Sequence, residues 1–150
     1  MVLKQKIEQC QLHLERMKQA AEHIRHLYPF QEKNFPLEKY EDLTSLDMFT
    51  GRFAKLQDTM GEGLFLEFLK FLGENVVNLS MIDRLNKLEK YKILESTAKW
   101  KYLRELRNDL SHEYPNSYSA LVTTLNKIFQ NYQYLEQTLE KIIHEYSLRA

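Results

Sequence analysis

Apolar residues recur at intervals of three and four along most of the chain, and that rhythm restricts the fold more than any other feature. Leu3, Ile7, Cys10, Leu14, Met17, Ala21, Ile24 and Tyr28 step this way near the start, with Lys, Gln, Glu and His between them. Leu121, Leu125, Ile128, Phe129, Tyr132, Leu135, Leu139, Ile142, Ile143 and Tyr146 do so near the end. Side chains spaced like this share one face of a helix, whereas a strand would split them between two sides. Only 4 Gly and 3 Pro in 150 residues leave few places to interrupt such helices. The expectation is an all-α, up-and-down bundle of five or six helices, forming a single domain over residues 1–150.

The same pattern divides the chain into elements. A first helix spans residues 2 to about 27. Pro29 and Pro36 then mark a connector from Tyr28 to about Asp42. Its Tyr28, Phe30, Phe35, Leu37 and Tyr40 suggest a packed loop. A second helix is expected from about Leu43, capped by Asp42 or Thr44, with Leu46, Phe49, Phe53, Leu56 and Met60 as its stripe. Arg52, Lys55, Gln57 and Asp58 fall on its other faces. Gly61-Glu62-Gly63 reads as a kink or flexible joint. It is no phosphate-cradling loop, since it has neither the lysine nor the preceding strand. Leu64–Leu72 continues as helix, and Gly73–Ser80 closes it. Met81–Lys90 is a short helix with Ile82, Leu85 and Leu88 inward. Tyr91–Glu95 turns, and Ser96 caps the next helix. After Pro115, Asn116 or Ser117 caps one last long helix.

Charge and cysteine content narrow the function classes. Lys plus Arg total 21, as do Asp plus Glu, so the formal net charge is zero. That argues against broad, non-specific binding of nucleic acid. One local basic cluster remains: Lys99, Lys101, Arg104 and Arg107 against Glu105. The lone Cys10 forms no internal disulfide and builds no zinc site, which fits a reducing, cytoplasmic setting. Charges from residue 4 onward argue against a signal peptide. No apolar run approaches the roughly 18 residues that span a bilayer, so no membrane partner is expected. His13, His23 and His26 lack a further ligand at a convincing spacing and read as a solvated helix face. Neither metal nor cofactor is expected.

Polar chemistry concentrates between Lys99 and Pro115. Trp100, Leu103, Leu106 and Leu110 form an apolar stripe, and Arg104, Arg107, Asn108 and Ser111 fall on an adjoining polar sector. His112, Glu113 and Tyr114 follow where the helix ends, because Pro115 forces Tyr114 into extended conformations. Guanidinium stays charged and grips phosphate through parallel hydrogen bonds. Imidazole titrates near neutrality and moves protons. Together Arg107 and His112 suit RNA cleavage by transesterification, in which the ribose 2′-hydroxyl attacks the adjacent phosphate without a metal. Ser111 beside His112 lacks the context of a nucleophile. Five residues on a regular helix rotate side chains by roughly 140°, so Arg107 and His112 do not converge from one helix. Either His112 swings round past the helix end, or a second copy supplies the missing group. Taken singly, Arg104 and Arg107 can instead pair with helix-face acids, such as Glu105 or Asp109 elsewhere in a dimer. His112 can cap the helix, and Tyr114 can pack as an aromatic.

The run Arg107-Asn-Asp-Leu-Ser-His112-Glu-Tyr114 resembles the signature of the HEPN superfamily, an arginine, a polar residue, and a histidine four to six residues on. The tyrosine two places beyond His112 resembles the HepT branch, with its Arg-x4-His-x-Tyr motif. Met81–Trp100, with Ile-Asp-Arg-Leu-Asn-Lys-Leu, and Phe53-Ala-Lys-Leu-Gln-Asp58 are also similar to that branch. The resemblance implies a HEPN-like homodimeric bundle with a composite cleft between protomers. It implies metal-independent endoribonuclease activity, as the toxin of a toxin–antitoxin pair, with RNA and not DNA as substrate. Arg107 and His112 would be catalytic, with Asn108, Ser111 and Arg104 as supporting polar groups. Tyr114 matches the tyrosine that a minimal nucleotidyltransferase antitoxin modifies with AMP. The superfamily also holds non-catalytic nucleotide-binding or substrate-binding partners of such transferases.

Overall fold

The computed structural model describes residues 2–111 and 118–150, and every regular element among them is helical. The first, α1 (Val2–Ile24), runs into a 3-10 turn at Arg25–Leu27. It buries Leu3, Ile7, Cys10, Met17, Ala20, Ala21 and Ile24, and packs lengthwise against α2 (Tyr40–Thr59). The connector between them is packed, as its aromatics imply. Phe30 is buried, and Tyr28 stacks on Phe129 at 4.8 Å between ring centroids. The Asn126 side chain clasps Phe30 twice. Its Oδ1 accepts the Phe30 N–H at 2.7 Å, and its Nδ2 donates to the Phe30 carbonyl at 3.0 Å.

The start of α2 differs from expectation. The helix begins at Tyr40, a turn early, with Lys39 at the N-cap and no side-chain cap. Tyr40 is therefore a first-turn helical residue, 74% exposed, and not part of the packed loop. Thr44 Oγ1 donates to the Glu41 carbonyl at 3.2 Å. Asp42 is buried against the end of α1, with His26 Nε2 at 3.4 Å and His23 Nε2 at 3.8 Å. Its carboxylate thus joins two elements and caps neither. Leu46, Phe49, Phe53, Leu56 and Met60 are all buried, as the stripe requires, and so is Gln57, which was expected on an outer face.

At Gly61 and Gly63 the chain stays helical but changes its winding. Met60–Leu64 forms a π-helical turn, in which the Phe65 N–H bonds the Met60 carbonyl, and the chain continues as α3 (Phe65–Phe71). Gly61 is buried beneath Trp100, and a Cβ there would sit 3.5 Å from the indole ring. Gly73 ends α3 with φ of 89°, a left-handed conformation that suits glycine. Its neighbour Glu74 returns an N–H to the Leu69 carbonyl at 3.0 Å.

Ser80 caps α4 (Met81–Lys90), its Oγ accepting the Asp83 N–H at 3.2 Å. The packed face of α4 is centred on Met81, Leu85 and Leu88. That carries Ile82 round to its edge, so Ile82 is exposed and not inward. Ser96 caps α5 (Thr97–Asp109) as expected, accepting the Lys99 N–H at 3.2 Å. Trp100, fully buried against Phe65 at 4.6 Å, anchors α5 to α3. The expected last long helix is two, α6 (Ser119–Asn131) and α7 (Gln133–Arg149). At their junction Asn131 Nδ2 donates to the Lys127 carbonyl at 2.7 Å, and the Leu135 N–H bonds the Tyr132 carbonyl, three residues back, at 3.0 Å. Tyr132 then turns its ring inward onto Phe49, 5.3 Å away edge-on.

Counting α2, the π turn and α3 as one rod, and α6 with α7 as another, five rods make an all-α bundle among the described residues. Their apolar faces meet in one connected core. None of these helices is long and apolar enough to cross a membrane.

Candidate functional site

The polar sector of α5 follows from how its apolar stripe is held. With Trp100, Leu103 and Leu106 buried against the bundle, rotation of about 100° per residue turns Arg104 and Arg107 to the margin of the helix. Both are half-buried, while Asn108 and Ser111 are exposed. At the helix end Ser111 is occupied structurally. Its N–H and its hydroxyl both donate to the Asn108 carbonyl, at 3.0 and 2.6 Å.

Arg107 lies in the last turn of α5 and reaches across to α2. Its Nε donates to Asp58 Oδ1 and its Nη2 to Asp58 Oδ2, each at 2.9 Å. Two parallel bonds of this kind are the strong, direction-setting form of an arginine–carboxylate pair. The side chains are 27% and 36% exposed, so the pair sits at the surface of the bundle and not within it. The hydrogen bond to Asp58 pushes the guanidinium pKa further above its ordinary value, with burial opposing and the charges of Asp58 and Glu62 adding. Arg107 therefore stays cationic across any biological pH. Within one chain its partner is Asp58, 49 positions away, on another helix.

Beside this pair an open cleft of about 280 Å³ lies between α2, the end of α5 and α6. Leu46, Leu110, Leu121 and Leu125 give it apolar walls, and Arg107 and Ser111 stand on one side. Arg104 lies one turn before Arg107. The Arg104 guanidinium lies against the π turn, with Nη1 3.9 Å from where a Cβ on Gly61 would stand, an ordinary van der Waals distance. The structure thus brings Arg104, Arg107, Asp58 and Ser111 to one end of the bundle. His112 and Tyr114 lie outside the described residues, as do Asn116 and Ser117.

Asp58 is the functional candidate that residue-by-residue reading missed. Helical spacing predicts neighbours three and four apart and says nothing of partners on another helix. Its signal was its place at the end of Phe53–Asp58, one of the segments that carry the resemblance.

His13, His23, His26 and Cys10 lie elsewhere in the bundle. Arg52 Nη1 contacts His13 Nδ1 at 3.0 Å. Burial, then the charges of Arg52 and Lys55, hold that imidazole below its ordinary value of 6.5. His23 and His26 face Asp42, and no group of three or more ligating side chains among the described residues is arranged to hold a metal ion. Burial pushes the Cys10 thiol up to about 12, which leaves it unreactive at neutral pH. Comparison with known proteins finds no matching family model, no matching curated protein and no matching solved structure.

Proposed function

We propose that the chain is a metal-independent endoribonuclease of HEPN type, close to the HepT branch, acting as a homodimer in the cytoplasm. One observation carries the reading. A permanently charged guanidinium stands at the mouth of an open cleft, held in a fixed plane, five residues before a histidine. Arg107 grips the scissile phosphate and offsets the charge that grows on it. The 2′-hydroxyl oxygen bonds to phosphorus as the bond to the 5′-oxygen breaks. His112 takes the proton from the 2′-hydroxyl and a proton returns to the leaving 5′-oxygen, and such general acid–base help is typically worth on the order of 10²–10⁴ in rate. A two-fold partner brings a second copy of the helix end to the same cleft. Asn108, Ser111 and Arg104 serve as supporting polar groups. Tyr114 is the position at which a nucleotidyltransferase antitoxin adds AMP, placing negative charge beside His112 and silencing the toxin.

The test uses purified protein with RNA in EDTA. Cleavage that persists in chelator and disappears in both His112→Ala and Arg107→Ala supports the reading. Absence of cleavage, or cleavage unchanged in either variant, refutes it.

A second reading is a non-catalytic, nucleotide-binding partner of the transferase. The zero net charge and the carboxylate already matched to Arg107 favour it. Stable complex formation with a transferase while RNA stays intact would select it.

A further inference from the structure

We propose that Asp58 is the positioning residue for the phosphate-gripping edge of Arg107, an inference that rests on the proposed placing of substrate at that guanidinium. A guanidinium has two edges able to make paired hydrogen bonds, one through Nε and Nη2 and one through Nη1 and Nη2. Asp58 takes the first edge completely, with both bonds at 2.9 Å. The second edge keeps both Nη1 hydrogens and the remaining Nη2 hydrogen.

An unbraced arginine has long, freely rotating side-chain torsions, and ordering it at the moment of binding weakens the contact. The carboxylate removes that freedom beforehand by fixing the plane and rotation of the fork. Its charge also partly cancels that of Arg107, which weakens long-range attraction for any polyanion. Brace and brake therefore predict opposite outcomes when Asp58 loses its charge. A brake released lets Arg107 bind phosphate more tightly, helped by one extra unit of positive charge. A brace removed loosens binding in spite of that charge.

The local structure favours the brace. Asp58 is the penultimate residue of α2, just ahead of the π turn, and that turn is packed under Trp100. The carboxylate thus stands on a backbone locked to the same helix that carries Arg107. A latch built to release would need a movable base, and this one is tied to α5 at both ends of the contact.

The experiment measures binding of a short, uncleavable 2′-O-methyl RNA oligonucleotide by the full chain. Asp58→Asn, Asp58→Glu and Arg107→Ala are each compared with the parent, and Asp58→Asn is also placed in the Arg107→Ala background. Thermal unfolding of each variant confirms folding. Asp58→Asn is expected to weaken binding about tenfold, because the neutral amide can accept only one of the two N–H groups. Asp58→Glu recovers most of the loss. In the Arg107→Ala background the Asp58 substitution changes nothing further, as coupling through a single contact requires. Where cleavage is measurable, kcat falls in Asp58→Asn while the pH profile stays in place, since His112 is untouched. Equal or tighter binding by Asp58→Asn overturns the proposal, as does an undiminished effect in the Arg107→Ala background. Failure of the parent chain to bind the oligonucleotide also overturns it. Binding that depends on Asp58 in a chain that cleaves nothing supports the proposal and removes the nuclease reading alone.

Discussion

Replacing Gln57 with leucine should stabilise the protein. Gln57 is fully buried, and neither its Oε1 nor its Nε2 has a hydrogen-bond partner. An unpaired donor or acceptor in such surroundings destabilises a fold by about 1–3 kcal/mol. Leucine keeps a side chain of similar reach and exposes no polar atom to the core. It sits one turn from Phe53 and next to Leu56, among the residues that already form the apolar face. Small shape differences take back up to about 1.5 kcal/mol of this, so the expected net gain is about 0.5–2 kcal/mol. For a chain of this size that is roughly 1–8 °C in Tm. Urea unfolding provides the assay, with the midpoint rising while the slope stays constant. Asn126→Leu supplies the opposite case. There the amide is fully paired, and its removal orphans the N–H and carbonyl of buried Phe30, at a cost of about 2–4 kcal/mol. If Gln57→Leu lowers stability by more than about 1 kcal/mol, the reasoning from orphaned polar atoms is wrong for this site.

Two further outcomes follow from the titrating groups. His13 has a folded-state pKa below its ordinary 6.5, so the unfolded chain binds its proton more readily. The stability it supports is present above about 6.5 and is lost as pH falls through that value and below. His13→Gln should therefore gain on the parent protein between pH 7 and pH 5 in parallel denaturation curves, and a constant difference across that range would contradict the assignment. Cys10, fully buried with its thiol near 12, should resist iodoacetamide in the native protein at pH 8 and react fully in urea. Mass spectrometry that finds rapid native alkylation would contradict its burial.

Most of the helical layout was legible because a helix repeats a local geometry. Leu46, Phe49, Phe53 and Leu56, or Leu125, Ile128 and Leu139, declare their face by spacing alone, and all are buried. The Ser96 cap was legible for the same reason, since capping is settled within four residues. What spacing cannot convey is the pull of one element on another. Asp42 looks like a cap and instead faces two histidines of α1 and its following turn. Gln57 lies in line with Phe53 and Met60, yet its amide argued for solvent, and tertiary packing overrode that preference. The break at Tyr132 falls within an apolar stripe that continues across it, so spacing alone reads one helix. At the candidate site the cation was readable from its motif, whereas its partner belongs to another helix and required the fold.

The wide turn at Met60–Leu64 carries a consequence for insertions and deletions. On a regular helix, at about 100° per residue, Phe53, Leu56 and Met60 point one way. Phe65, Phe68 and Leu69 then come out roughly one residue's rotation too late. The π turn absorbs that slip of phase, and all of these side chains stay buried. A chain one residue shorter between Met60 and Leu64 could wind as unbroken α-helix with the same faces inward. A chain one residue longer would carry the slip past the turn and swing Phe65 and Phe68 toward water. This segment is thus an asymmetric length gauge, forgiving of loss and intolerant of gain, set directly behind the carboxylate that steadies Arg107.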